Sequence, residues 1–328
     1  MVLKMKKQQS IWADFIERDY LDGEFKQLIK DGIINGATSN PAIFKDAILN
    51  SDAYKEQIIE LTNLSAKQKY EKIAIFDIQK AADILRPLYD NGNDGFVSIE
   101  VDPNFSNDAN ATIEEGISLF ERINRPNVMI KIPATKAGYE AMEELVSKSI
   151  PVNATLIFSK EQAIECANAF NKGMKKSNKT IQTVISVFVS RFDRALDEKL
   201  DGLNLDTGLV GIYNAADIYN SIESLNYDGI RVLFASTGVK GDKYPPSYYI
   251  DKLVANNSVN TAPVSTIKAF VENKDSSVKL PIEQSKIDQF FNTLKDNQID
   301  LDSLRNQLLN DGLSAFEIAF SEIIDSLK

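Results

Sequence analysis

The sequence predicts an α/β protein of the (β/α)8 TIM barrel class, with extra helices and a helical C-terminal tail. Three observations predict it. Short β-branched runs alternate with longer amphipathic stretches, an order that implies a parallel sheet. There are eight such runs, the number that closes a barrel, and a barrel of about 250 residues leaves the rest of the 328-residue chain for insertions. The competing doubly wound sheet carries a Gly-rich phosphate turn after its first strand. Here that strand runs straight into "DFIERDYL".

The expected strands follow in order. They are "SIWADF" (10–15), "IINGATSN" (33–40), "GFVSIEVDP" (95–103) and "NVMIKIPAT" (127–135). Then come "PVNATLIFS" (151–159), "QTVISVFVS" (182–190), "IRVLFAST" (230–237) and, with the weakest pattern, "NSVNTAPVS" (257–265). Helical patterns separate them, such as "TIEEGISLFERIN" (112–124), "KAGYEAMEELVSK" (136–148) and "SKEQAIECANAFNKG" (159–173). The long interval 41–94 is expected to hold extra helices. The tail from 276 to 328, with "GLSAFEIAFSEIIDSL", is expected to form helices packed on the barrel. No linker rich in Gly, Pro or Ser divides the chain, so residues 1–328 are expected to form one domain. Pro41 and Pro133 are expected to end their strands, Trp12 to pack near Asp14, and "DNGNDG" (90–95) to be a solvated turn.

Side chains alternate between the two faces of a strand. In "VMIKI", Val128, Ile130 and Ile132 suit the helix layer, so Met129 and Lys131 point into the barrel. The same count sends Ser98 and Glu100, Asp14 with Trp12, Asn153 and Thr155, and Ser186 with Phe188 inward. It also sends Thr38 and Asn40 inward, and places Ser236 beside Phe234. The polar members cluster toward the C-terminal ends of their strands, where barrel active sites are built. A buried hydrogen-bond network that closes the barrel is the bland alternative. Burying charges costs several kcal/mol per ion unless they are well paired, and a ligand accounts for a polar ring more simply.

Composition narrows the chemistry. The chain has no histidine, which excludes a Ser-His-Asp triad, a His-ligated metal and a His general base. Acid–base work must fall to carboxylates, lysine, tyrosine or water. A net charge of −10 opposes non-specific nucleic-acid binding. No run of about 18 apolar residues occurs, so no membrane span is expected, and the basic start "MVLKMKKQQS" lacks the apolar stretch of a secretory signal. The single cysteine, Cys166, reads as a small buried residue and suits a reducing, cytoplasmic setting.

A lysine inside a barrel can attack a carbonyl, form a Schiff base and use the iminium as an electron sink. It must be neutral to attack, and an apolar strand lowers an amine's pKa by burial. Asp14 and Glu100 are the natural acid–base partners. Residue chemistry thus suggests a cofactor-free, metal-free Schiff-base lyase or transferase.

Six motifs, "GATSNPAIF" (36–44), "EVDP" (100–103), "MIKIPAT" (129–135), "VNATLIFS" (152–159), "SVFVSRFD" (186–193) and "ASTGVK" (235–240), together resemble the transaldolase family. The resemblance starts at residue 10 and runs to the C-terminus. It implies transfer of a dihydroxyacetone unit between sugar phosphates, from fructose 6-phosphate or sedoheptulose 7-phosphate to erythrose 4-phosphate or glyceraldehyde 3-phosphate. By resemblance, Lys131 is the Schiff-base lysine and Asp14 the acid–base group for carbon–carbon cleavage. Glu100 with Thr155 shuttles protons through a water. The resemblance also implies that Asn40 and Asn153 hold the hydroxyls of the three-carbon unit, with the Ser186 hydroxyl near the same unit and Thr38 beside them. Arg191 and Ser236 are expected at the phosphate. The better-known branch of the family carries an Arg two places after that serine; this chain has Gly238, and Lys240 is the candidate replacement or else a solvated loop lysine. Related small aldolases carry a tyrosine where this chain has Phe188, so Phe188 favours transfer over release. Two other functions stay open at this point: a simple class I aldolase and a sugar-phosphate-binding barrel without turnover. So does the choice between monomer and homodimer.

Overall fold

The structure, a computed structural model, describes residues 9–273 and 275–328. The basic start of the chain, residues 1–8, lies outside the described residues. Eight parallel strands close in sequence order into a barrel, with β1 hydrogen-bonded to β8. The strands are β1 (Ser10–Ala13), β2 (Gly36–Thr38), β3 (Phe96–Glu100), β4 (Val128–Pro133), β5 (Val152–Ile157), β6 (Thr183–Phe188), β7 (Ile230–Ala235) and β8 (Ser258–Ala262). All eight lie within the segments read as strands, and each is shorter than the reading because its flanks belong to turns and helix caps. Every residue of β4 is buried, the mark of a parallel strand covered on both faces.

Fourteen helices surround the barrel among the described residues. The first two are α1 (Arg18–Asp22) and α2 (Glu24–Lys30). The interval 41–94 holds α3 (Pro41–Asn50), α4 (Lys55–Glu60) and the long α5 (Ala66–Asp90), the extra helices the sequence suggested. Next come α6 (Ala109–Ile123), α7 (Lys136–Ser147), α8 (Lys160–Ser177), α9 (Ser190–Gly202) and α10 (Val210–Ser224). The last are α11 (Tyr248–Lys252), α12 (Val264–Asn273), α13 (Gln284–Asp296) and α14 (Leu301–Ser326). Caps mark where strand ends turn into helices. Asn40 caps α3, Thr135 caps α7, and Ser159 with Gln162 forms a capping box on α8.

Two apolar layers result from the alternation. Val128, Ile130, Ile132, Val152, Ala154 and Phe234 face the helices. Trp12, Phe96, Met129, Val184, Leu233 and Val259 fill the inside. Trp12 is fully buried and lies against Gly36, where a Cβ would come within 2.4 Å of the indole nitrogen, so only glycine fits there.

Two expectations fail here. Asp94, read as part of a solvated turn, is buried: its carboxylate accepts from Trp12 Nε1 at 2.9 Å and pairs with Arg231 at 2.9 Å. A charge that closes the lower end of the barrel looks like a turn residue in sequence because its two partners are about 80 and 140 positions away. Ser236 does not share a face with Phe234. Phe234 packs outward against Tyr219, while Leu233 and Ala235 point inward. Ser236 has φ of 54°, in the left-handed region, and this breaks the alternation just past the strand. β5 breaks it too: Leu156 (φ 58°) sits at a register shift and turns inward directly after Thr155.

Candidate active site

A cavity of about 230 Å³ opens at the C-terminal ends of the strands. Asp14, Thr38, Asn40, Lys131, Thr155, Ser186, Phe188, Arg191 and Ser236 all line it. A wider cleft, about 600 Å³, lies at the opposite end around Asp94 and Arg231. Those two side chains are engaged with each other there, and that end of a barrel serves stability rather than chemistry.

Lys131 is 5% exposed, on the middle of β4. Register sets it opposite Glu100 on β3 and Asn153 on β5. Its Nζ lies 3.2 Å from Glu100 Oε2 and donates to the Ser39 carbonyl at 3.1 Å. Burial raises the Glu100 carboxyl to about 7, with Lys131 pulling against that rise and Asp14 adding to it. Glu100 Oε1 and Thr155 Oγ1 are buried without a hydrogen-bond partner in the protein. Glu100 and Asn153 flank the lysine and do not themselves line the cavity wall.

Asp14 follows β1, held by its backbone N–H on Ala262 O at 2.8 Å. Thr38 donates to its Oδ1 at 2.7 Å. The Thr38 and Thr261 hydroxyls are 2.6 Å apart, so Thr261 donates in turn to Thr38. Thr38 therefore orients Asp14. Burial raises the Asp14 carboxyl above its ordinary value, and Lys131 and Thr38 oppose that.

Ser186 donates to Asn153 Oδ1 at 2.6 Å, and Asn153 Nδ2 donates to Ser98 Oγ at 3.3 Å. Asn40 spends its Oδ1 on capping Ile43 N–H. The Arg191 guanidinium lies 5.0 Å from the Phe188 ring centroid, a cation–π distance. Burial and Arg194 push its pKa down, and Asp311 opposes them. Asp193, two residues on, accepts from Gly211 N–H at 3.2 Å. Ser190 and Ser236 hydroxyls meet at 3.1 Å beside it.

Lys240 is exposed and does not reach the cavity. After β7 the chain stays buried at Thr237, which donates to Asn260 Oδ1 at 2.9 Å, and is exposed by Lys240. Gly238 abuts Pro263, where even a Cβ would meet the ring at 3.2 Å. Sequence reasoning missed Thr261, Ala315 and Phe316 as wall residues. Thr261 was within reach, since it alternates with Val259 on the inner face of β8. Ala315 and Phe316 come from α14, and no local pattern places that helix over the cavity.

Comparison with known proteins agrees with this geometry. Residues 11–327 match the family described as Transaldolase/Fructose-6-phosphate aldolase. A transaldolase of Campylobacter jejuni is 49% identical over 98% of this chain and 100% of its own length. A transaldolase of Helicobacter pylori is 42% identical over 97% of this chain and 98% of its own. The chain belongs to the transaldolase/fructose-6-phosphate aldolase family.

Proposed function

We propose that this chain is a transaldolase, a transferase that moves a dihydroxyacetone unit between sugar phosphates through an imine on Lys131. Sedoheptulose 7-phosphate and glyceraldehyde 3-phosphate would give erythrose 4-phosphate and fructose 6-phosphate, the exchange of the pentose phosphate pathway. One observation carries the reading: a buried lysine amine 3.2 Å from Glu100, in a cavity that also holds a threonine-bound Asp14.

The Lys131 amine adds to the ketose C2 carbonyl, and loss of water leaves the imine. Glu100, at about 7, can take and return a proton at neutral pH. Asp14 accepts the C4 hydroxyl proton as the C3–C4 bond breaks, and the bond's electrons run into the iminium to give an enamine. The aldehyde leaves, a second aldehyde enters, and the same steps run backward. Ser186 and Asn40, which line the cavity, are assigned to the hydroxyls of the three-carbon unit, and Asn153 behind them orients Ser186. Arg191 with Ser236 is assigned to phosphate, for which a guanidinium offers paired donors. Lys240 is assigned no contact. The buried Cys166 suits a cytoplasmic setting.

Release of free dihydroxyacetone, the aldolase outcome, needs a proton for the enamine carbon. Phe188 lines the cavity and has none to give. The deciding assay supplies fructose 6-phosphate with and without erythrose 4-phosphate. Product should form with the acceptor and nearly stop without it; equal rates in both would make the protein an aldolase.

The carboxyl near 7 has a kinetic consequence. Glu100 must be ionised to accept a proton, so kcat/KM should climb with pH through about 7. Glu100→Gln should flatten that limb and slow turnover by about 10²-fold or more. A pH–rate profile of the two proteins checks this.

A further inference from the structure

Only one element outside the strands and the helices that directly follow them reaches the cavity wall among the described residues. This is α14, through Ala315 and Phe316. The Phe316 ring is 6% exposed, and its centroid lies 5.4 Å from Lys131 Nζ. The helix that carries it is held along its length. Near its start, Arg305 donates to Asn214 Oδ1 at 3.0 Å. Near its end, Glu322 pairs with Lys45 at 2.9 Å, and Lys69 donates to Leu327 O at 2.8 Å. Between them Gly312 lets the backbone approach the site: a Cβ there would sit 3.1 Å from Arg191 Nη1 and 2.8 Å from Leu156 Cδ2. The ring is thus a fixed apolar cover beside the reacting nitrogen.

What such a cover can decide follows from the chemistry proposed above, on which this inference rests. After cleavage the three-carbon unit is an enamine on Lys131. In one fate its nucleophilic carbon attacks an acceptor aldehyde; a C–C bond forms and the aldehyde oxygen takes the proton from Asp14. In the other, the same carbon takes a proton from water. The hydroxide left behind adds to the iminium, and the carbinolamine breaks down to free amine and dihydroxyacetone. That sum consumes one water and needs no other reactant. We propose that Phe316 is a positioning residue that selects the first fate, by fixing the Lys131 side chain and keeping bulk water from the enamine carbon. The imine itself still exchanges its one water at Glu100. Phe188 and Phe316 then act together: the first offers no proton, and the second keeps solvent from offering one.

The test measures a ratio, dihydroxyacetone released from fructose 6-phosphate alone over transfer to erythrose 4-phosphate. Phe316→Ala in the full chain should raise it by about tenfold, a modest change in the relative barriers of two competing steps. Run in D2O, the released dihydroxyacetone should carry deuterium on the former C3. Phe316→Leu keeps the space filled and should fall between the two. Phe320→Leu loosens the same helix where it packs edge-on against Tyr70, away from the cavity. It should leave the ratio as in the unaltered protein. An unchanged ratio in both Phe316 variants, or an equal rise in Phe320→Leu, overturns the inference. Borohydride trapping separates this from failure of the transfer reading. An adduct on Lys131 with an unchanged ratio sinks the role of Phe316 alone; no adduct in the unaltered protein sinks both.

Discussion

Lys131→Met will leave a folded protein with no measurable transfer and no borohydride-trapped sugar adduct. In the proposed mechanism the Lys131 amine is the nucleophile and the iminium made from it is the electron sink for cleavage, and methionine keeps a buried stem while removing the nucleophile. Enzymes commonly accelerate reactions by about 10⁶-fold or more, so loss of the covalent route should return the rate to background. The substitution also removes the cation beside Glu100, whose carboxyl already stands at about 7 against an ordinary 4.5. Without Lys131 it should rise further. A carboxyl with a raised folded pKa holds its proton more tightly in the folded state. Its contribution to stability is full below about 4.5 and is lost as pH climbs through the folded value. The variant should therefore match the parent in thermal melts near pH 5 and fall behind above pH 7. Mass mapping of the reduced adduct completes the test; an adduct on another lysine would remove Lys131 from its role.

Asp14→Ala should separate binding from cleavage. Asp14 is held by its Thr38 bond, itself backed by Thr261, and in the proposed mechanism it takes the hydroxyl proton. Loss of a positioned acid–base group costs about 10²–10⁴ in kcat. The imine on Lys131 should still form, so borohydride should now trap an intact six-carbon ketose rather than the three-carbon unit. KM for the ketose should shift only a few fold. An unchanged kcat would end the assignment.

Much of the site could be read from strand alternation, because a barrel strand buried on both faces offers only two directions. That rule put Lys131, Glu100, Asp14, Thr38, Thr155, Ser186 and Phe188 on the inside; that Thr38 bonds Asp14 is seen only in the structure. It failed where the backbone left the extended region. Ser236 reaches the cavity through a left-handed φ that nothing in "FAS" announces. Lys240, which the family resemblance offered either as a replacement for the missing Arg or as a solvated loop lysine, is exposed. Asp94 lies in a stretch with every local mark of a turn, and only its distant partners Trp12 and Arg231 give the buried carboxylate its place.

The sequence by itself determined the eight-strand alternation, the inward lysine, the absence of histidine chemistry and the helical tail. All of these follow from local periodicity or from composition. Only the tertiary structure decided that α14 lies over the cavity, that Gly312 brings it against Arg191, and that Phe316 stands beside Lys131 Nζ. Those contacts join residues more than a hundred positions apart. Their geometry is set by how helices pack around a closed sheet, which no short stretch of chain encodes.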